Sequence, residues 1–357
     1  MTPTERHHWS DFPEACANAA LQSQDGRSHP QYEWLIRACR SIPPIRTAVV
    51  HPCDPSSLEA AIAATVGKLI EPVLVGPETR IRELASKLGF DIANVQLVDA
   101  PHSNAAAALA VGLARGGGVG ALMKGSLHTD ELLAEVVRTD TGIRTARRIS
   151  HVFIMDVPTY PKPLFITDAA VTLFPTLEDK VDIVRNAIDL THALGLKTPK
   201  VAILSAVETI TSKIPSTLDA AALCKMADRG QITGALLEGP LALDNAIDRG
   251  AAAAKGIRSP VAGDADILLV PTLEAGNMLV KELTFLANAD AAGIVLGAQV
   301  PIILTSRADS VRARLASCAV AALYTRHKYV QTLIPTQSQP AQPVERDPHQ
   351  PSTGAVK

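Results

Sequence analysis

The sequence predicts an α/β protein of two doubly wound domains with a cleft between them. Three observations carry that reading. Short apolar runs alternate with amphipathic segments from about residue 32 to residue 330, the βαβ rhythm of parallel sheets covered by helices on both faces. The runs number eleven, which is many for one open sheet, so two α/β units are the more economical arrangement. Hydrophobic residues make up 47 % of the chain and aromatics only 3 %, so the core must be built from Ala, Val, Ile and Leu. That composition suits helices on a sheet better than a sandwich.

Taken in order, the predicted strands are Thr47–Val50, Val73–Val75, Val95–Val98, Gly120–Met123, His151–Met155, Leu164–Ile166, Val201–Leu204, Ile232–Leu237, Ile267–Val270, Ile294–Leu296 and Pro301–Leu304. Each is too short for a helix and is bounded by turn residues. Thr176-Leu177-Glu178-Asp179 resembles a capping box. Val181, Val184, Ile188 and Leu194 follow at helical spacing, and Gly195 closes that helix. A second helix is expected over about Thr217 to Arg229, stopped by Gly230. A last one runs from about Val311 to Arg326, behind Asp309 or Ser310. Residues 1–31 and the Pro- and Gln-rich 331–357 lack a core-forming pattern and read as disordered ends. The expected domains are 32–150 plus 300–330, and 151–299.

Charge and cysteine usage exclude several functions. With 34 basic and 36 acidic residues the net charge is −2, so no overall field favours nucleic acid or an anionic membrane. The five cysteines are odd in number, far apart and without a C-x-x-C pair, which argues for reduced thiols in a cytoplasmic protein. No apolar run approaches the ~18 residues that span a bilayer.

In a parallel sheet, ligands bind beyond the carboxyl ends of the strands. Those ends carry Lys124-Gly125-Ser126 with His128, then Thr167-Asp168, Ser205 with Glu208, Glu238-Gly239-Pro240, Glu274-Ala275-Gly276-Asn277, and Ser306-Arg307. Gly paired repeatedly with a charged or amide side chain points to one shared crevice. Gly120 to Ser126 is a near miss to a P-loop, because Lys124 precedes the second Gly instead of following it. Gly116 to Gly120 also fails the dinucleotide fingerprint, since Met123 holds the third Gly position and the glycines precede the strand. Arg138, Arg144, Arg147 and Arg148 form a basic cluster that is either a solvated face or, through Arg144 or Arg147, an anion contact. His128 and His151 are not spaced as metal ligands, so no metal site is expected. Asp309 has two readings, helix N-cap and crevice carboxylate.

Met123-Lys124-Gly125-Ser126-Leu127-His128-Thr129, Thr167-Asp168-Ala169-Ala170, Glu238-Gly239-Pro240-Leu241, Leu273-Glu274-Ala275-Gly276-Asn277 and Leu304-Thr305-Ser306-Arg307-Ala308-Asp309 together resemble the phosphate acetyl/butyryltransferase family. The likeness spans about residues 35–328 and is nearest to the phosphate butyryltransferase and bifunctional enoyl-CoA hydratase/phosphate acetyltransferase branch. It implies two domains of the isocitrate/isopropylmalate dehydrogenase type with the site in the cleft. It further implies reversible transfer of a short acyl group, acetyl to butyryl, between coenzyme A and inorganic phosphate, without a cofactor, in a homodimer or larger homo-oligomer. On this reading Ser306, Arg307 and Asp309 are catalytic. Lys124, Gly125, Ser126, His128, Arg144, Asp168, Glu274, Gly276 and Asn277 bind substrate.

The chain departs from the pattern in three places. Val311-Arg312-Ala313-Arg314 stands where the acetyltransferase branch has a carboxylate. Leu133, Ala134 and Glu135 stand where it has an Arg, and Thr172 where many relatives have Asn. The alternatives are a metal-dependent hydroxyacid dehydrogenase of the same fold and a non-catalytic CoA-binding protein.

Overall fold

All eleven predicted runs contribute to strands in the computed structural model, which describes residues 30–304 and 309–333. The strands are β1 Ile45–Val50, β2 Ile70–Gly76, β3 Gln96–Asp99, β4 Ala121–Lys124, β5 Ser150–Asp156, β6 Leu164–Thr167, β7 Lys200–Leu204, β8 Leu236–Leu241, β9 Ile267–Leu269, β10 Asp290–Leu296 and β11 Ile302–Ile303. The helices are α1 Pro30–Cys39, α2 Pro55–Val66, α3 Glu78–Lys87, α4 Ser103–Arg115, α5 Thr129–Val136, α6 Leu177–Ala193, α7 Pro215–Asp228, α8 Leu243–Ile247, α9 Arg249–Ala254, α10 Leu273–Leu286 and α11 Val311–Leu333.

The strands join in one sheet, in the order β3-β2-β1-β4-β11-β10-β5-β6-β9-β7-β8. Strand number alone therefore does not divide this chain. Direction does: β3, β2, β1, β4 and β11 are mutually parallel, as are β6, β9, β7 and β8. Antiparallel pairings of β10 with β11 and β5, and of β5 with β6, reverse the sheet between those halves. The halves thus run in opposite directions. They are staggered, so that one row crosses the sheet through Leu74, Val49, Met123 and Ile303, then Ile294, Val152, Thr167, Leu269 and Ile203. Carboxyl ends from both halves reach this row within about a residue, and their loops leave it in opposite directions.

Side chains alternate across the sheet. One face carries a continuous core including Val49, Met123, Ile303, Ile294, Val152, Phe165, Leu269 and Val201, covered by α1, α2, α3, α6, α7 and α11. On the other face the core is split. Ala48, Val50, Leu122, Ile302 and Val295 pack under α4 and α5, whereas Met155, Ile166, Ala202 and Leu268 form a separate cluster under α8, α9 and α10. Between the clusters the middle strands present His151, Phe153 and Gly293.

Local chemistry explains the helix ends. Thr176 and Asp179 form the predicted capping box of α6, and Gly195 follows it at φ 92°. Asp54 caps α2 by accepting from the Ser57 N–H at 2.9 Å, with Pro55 in the first turn where its missing N–H costs nothing. Several boundaries differ from the sequence reading, and the following shift most. The eighth strand is β8, not Ile232–Leu237; Glu238-Gly239-Pro240 lie inside it, which an edge strand permits because its outer N–H groups are unpaired. Ile232 is buried in the turn after Gly230. Helix α1 begins at Pro30, inside the expected N-terminal extension, and α11 continues to Leu333, past residue 331 where the tail was expected to begin. No helix among the described residues is long and apolar enough to cross a membrane.

Candidate active site

In the first half the chain runs from β1 outward to β2 and β3, then returns to place β4 on the other side of β1. The crevice between β1 and β4 is therefore a topological switch point, where adjacent loops part in opposite directions. The loops are 51–54 and 125–128. Gly125 and Ser126 N–H groups donate to the Val50 and His51 carbonyls, both at 2.9 Å. A Cβ on Gly125 would stand 2.3 Å from the Val50 oxygen, so this approach requires glycine. Ser126 Oγ lies 3.3 Å from His51 Nδ1, and burial lowers the His51 pKa despite the opposing contact with the Ser126 backbone. Lys124 is half-buried, with Nζ 3.5 Å from the Gly125 carbonyl. His128 opens α5 with an exposed ring, and its N–H donates to Glu131 at 3.2 Å.

The facing wall comes from the second half. Asp168 is buried, and its carboxylate accepts the N–H groups of Ala170, Val171 and Thr172 at 3.0, 3.1 and 2.9 Å, with His151 N–H at 3.3 Å. Burial raises its pKa, and the four N–H donors oppose that shift. Asn277 donates to the Ala169 carbonyl at 3.2 Å. A Cβ on Gly276 would stand 2.7 Å from Val270 and 2.8 Å from Ala169. Glu274 is exposed on the outer side of α10. The structure thus gathers Asp168, Gly276 and Asn277 into one loop-and-helix junction. Glu274 points away from that packing.

The two walls meet through the split face. By alternation Lys124 and Asp168 lie on that face, and His151 sits between them beside Gly293. A Cβ on Gly293 would contact the His151 ring at 2.8 Å and the Leu304 carbonyl at 3.4 Å. Three strand spacings separate β11 from β6, or about 14 Å. The His151 ring packs on Phe153 with centroids 4.2 Å apart, and burial pushes its pKa down to about 3, so the imidazole is neutral near pH 7. Its Nδ1 has no hydrogen-bond partner among the described residues.

Ser306 and Arg307 lie outside the described residues. Asp309 is half-buried at the far end of that segment. The cap of α11 is Ser310, whose Oγ accepts from Ala313 N–H at 3.1 Å. Arg312 pairs with Asp290 at 3.0 Å, and buried Arg314 donates to the Ser56 carbonyl at 2.5 Å. The segment lacking a carboxylate is thus occupied by two arginines that tie α11 to the body. Of the four clustered arginines, Arg138, Arg147 and Arg148 pair with Asp140, Asp189 and Asp179. Arg144 is exposed, forms a backbone bridge to Ala298 and makes no ion pair among the described residues.

Sequence reasoning missed the loop after β1, which supplies His51, Asp54 and the Arg314 anchor. Its signal was present, because Asp54-Pro55 directly after a strand is a helix-start signature. It also passed over His151 as a floor residue, since a lone His in an apolar strand carries no spacing signal. No cluster of three or more His, Cys, Asp or Glu side chains that could hold a metal occurs among the described residues.

Comparison with known proteins identifies the family. Residues 103–322 match the family model described as "Phosphate acetyl/butaryl transferase", and the chain belongs to that family. A phosphate acetyltransferase of Rhizobium meliloti is 65 % identical over 84 % of this chain and 94 % of its own. A phosphate butyryltransferase of Clostridium acetobutylicum is 41 % identical over 83 % of this chain and 99 % of its own. Among solved structures, a branched-chain phosphotransacylase from Enterococcus faecalis superposes with a TM-score of 0.69 at 31 % identity, covering 79 % of this chain and 99 % of that one. The family match sets aside the dehydrogenase alternative.

Proposed function

We propose that this protein is a phosphate acyltransferase that moves a short acyl group reversibly between coenzyme A and inorganic phosphate. The observation that carries the reading is the crevice at the β1/β4 switch point, built from family motifs and faced by the Asp168 loop. A phosphate oxygen attacks the thioester carbonyl; the C–O bond forms, the C–S bond breaks, and the thiolate leaves and takes a proton. In reverse, the thiol loses that proton as sulfur attacks the acyl phosphate. Lys124, Arg144 and Arg307 are the cations assigned to phosphate. Ser306 donates a hydrogen bond to the developing oxyanion. Asp309 is the assigned base, a role supported by the transfer of the cap to Ser310. Holding both substrates in one cleft supplies much of the acceleration by proximity.

On this reading Gly125, Ser126 and His128 line the phosphate and pantetheine side of the site. Asp168, Gly276 and Asn277 shape the opposite wall. The lobes are 32–150 plus 300–330, and 151–299, in an isocitrate/isopropylmalate dehydrogenase-like arrangement. The protein works in the cytoplasm as a homo-oligomer, with acyl-CoA and phosphate as substrates and no further cofactor. The test is phosphate-dependent release of free thiol from acetyl-, propionyl- and butyryl-CoA. Release from at least one is expected, and folded protein that releases thiol from none defeats the proposal.

A further inference from the structure

On the face of the sheet opposite Lys124, His151 and Asp168, two buried donor groups meet around one hollow. Tyr32 of α1 is 3 % exposed, and Arg312, in the first turn of α11, has 13 % of its side chain exposed. The guanidinium lies 6.0 Å from the Tyr32 ring centroid, and its Nη1 donates to Asp290 at 3.0 Å. The Arg312 Nε and the Tyr32 hydroxyl have no hydrogen-bond partner among the described residues. Burial pushes the Tyr32 phenol pKa up, so the hydroxyl keeps its proton and remains a donor. Both side chains line a hollow of about 30 Å³ together with the carboxylates of Asp156 and Asp290. Buried donors without an acceptor destabilise a fold, so two of them at one hollow call for a ligand or water there.

What adjoins the hollow favours a ligand. Leu35, Ile154 and Pro163 line both the hollow and a chamber of about 360 Å³. Trp34 and Phe165 flank that chamber in a chain with only 3 % aromatics, and Leu194 and Leu196, just after α6, extend its apolar wall. The charges at its edge are already spent. Lys162 donates to the Asp264 carboxylate and carbonyl, both at 2.8 Å, and to Asp266 at 2.6 Å. An apolar chamber of this size with a few polar groups at one end has the anatomy of a small-molecule site. A dry cavity of ~150 Å³ already holds benzene.

The lining also selects the head group. Tyr32 and Arg312 require an acceptor oxygen. Two carboxylates against one guanidinium oppose a negative head, and an ammonium offers no acceptor. A neutral carboxamide meets each demand, because its oxygen accepts from Tyr32 and Arg312 while its N–H groups face the carboxylates. The geometry points to a second binding site, which takes a neutral carboxamide with a compact apolar body. The head enters the Tyr32–Arg312 hollow, and the body lies between Trp34, Phe165 and Leu196. Arg312 follows Arg307 by five residues, which links this site along the chain to the Ser306-Arg307 motif. The proposal does not depend on the acyltransferase reading.

The test is a saturation-transfer NMR titration of the full chain with hydrocinnamamide, whose phenyl ring and carboxamide match chamber and hollow. Hydrocinnamate and phenylpropylamine serve as probes with a similar body and a charged head. The amide should bind with a dissociation constant of about 1 mM or tighter, in keeping with its few atoms. Each charged probe should bind at least ~10-fold more weakly. Leu196→Trp fills the chamber from a half-buried turn and should abolish binding. Tyr32→Phe removes only the hydroxyl and should weaken the amide ~5-fold or more. Circular dichroism checks that each variant is folded, and if Leu196→Trp is not, Tyr32→Phe decides. Excess coenzyme A should leave the amide in place. Absence of saturable amide binding overturns the proposal and leaves the hollow to water. Equal binding of all three probes overturns it too, as does displacement of the amide by coenzyme A or wild-type affinity in the folded variants.

Discussion

The two walls of the crevice use their polar groups differently. On the Asp168 wall almost every polar group is committed to holding backbone: one buried carboxylate gathers four N–H groups, and Asn277 fastens a carbonyl. On the wall between β1 and β4 the backbone is fixed by close approach at Gly125. That leaves the Ser126 and His128 side chains at the crevice with only light internal duties, beside the half-buried Lys124. One wall is polar in order to have a shape, and the other has its shape from glycine. The lesson is that a motif residue can be essential to a site through folding alone.

Four outcomes would break or sharpen this contrast. Asp168→Ala removes the shared acceptor of four N–H groups and should cost on the order of 4 kcal/mol by denaturant unfolding. Unchanged stability with lost turnover would move Asp168 to the chemistry. Lys124→Met should behave in the opposite way, with unfolding nearly unchanged and thiol release down ~100-fold in kcat/KM. Equal losses in both measurements would erase the distinction between the walls.

His151, between the walls, should make folding acid-sensitive. Its folded pKa of about 3 lies below the ordinary 6.5, so the unfolded chain binds the extra proton between those values. Its contribution to stability is complete above pH 6.5 and shrinks as pH falls, by ~2 kcal/mol at pH 5. His151→Phe should flatten that part of the stability–pH curve; an unchanged slope would place the sensitivity elsewhere. Asn277→Ala should cost about 1 kcal/mol with little change in turnover. A clear rise in KM for acyl-CoA would instead make Asn277 a substrate contact.

Much of the fold was legible because buried strands declare themselves by short aliphatic runs and helices by their ends. Thr176 with Asp179, and Gly195 after α6, were read correctly for that reason. Ile232 misled because an apolar residue after a glycine turn looks like a strand start, while Pro240 inside β8 looks like a strand end. The reversal of β10 and β5 was not legible, since an apolar strand has the same pattern in either direction. In the site, motif residues at strand ends were easy to select, but burial and partners were not. Asp168 and Lys124 look alike in sequence, and only the packing of Ala169 to Thr172 separates them. The chemistry of the loop after β1 was hidden by its own ordinary capping signal.

One feature of the sheet bears on how the protein is made. The two-residue strand β11 is the sole strand between β4 and β10, and α11, which packs on α1, α2, α6 and β10, follows it at the end of the described chain. Synthesis begins at the amino end, so β1 to β4 leave the ribosome early with the inner edge of β4 still open. Residues 150–296, by contrast, supply all the strands from β5 to β10 in one uninterrupted stretch. The half that is translated first is the half completed last, and until residue 302 emerges its exposed edge is the nascent chain's main opportunity for mispairing.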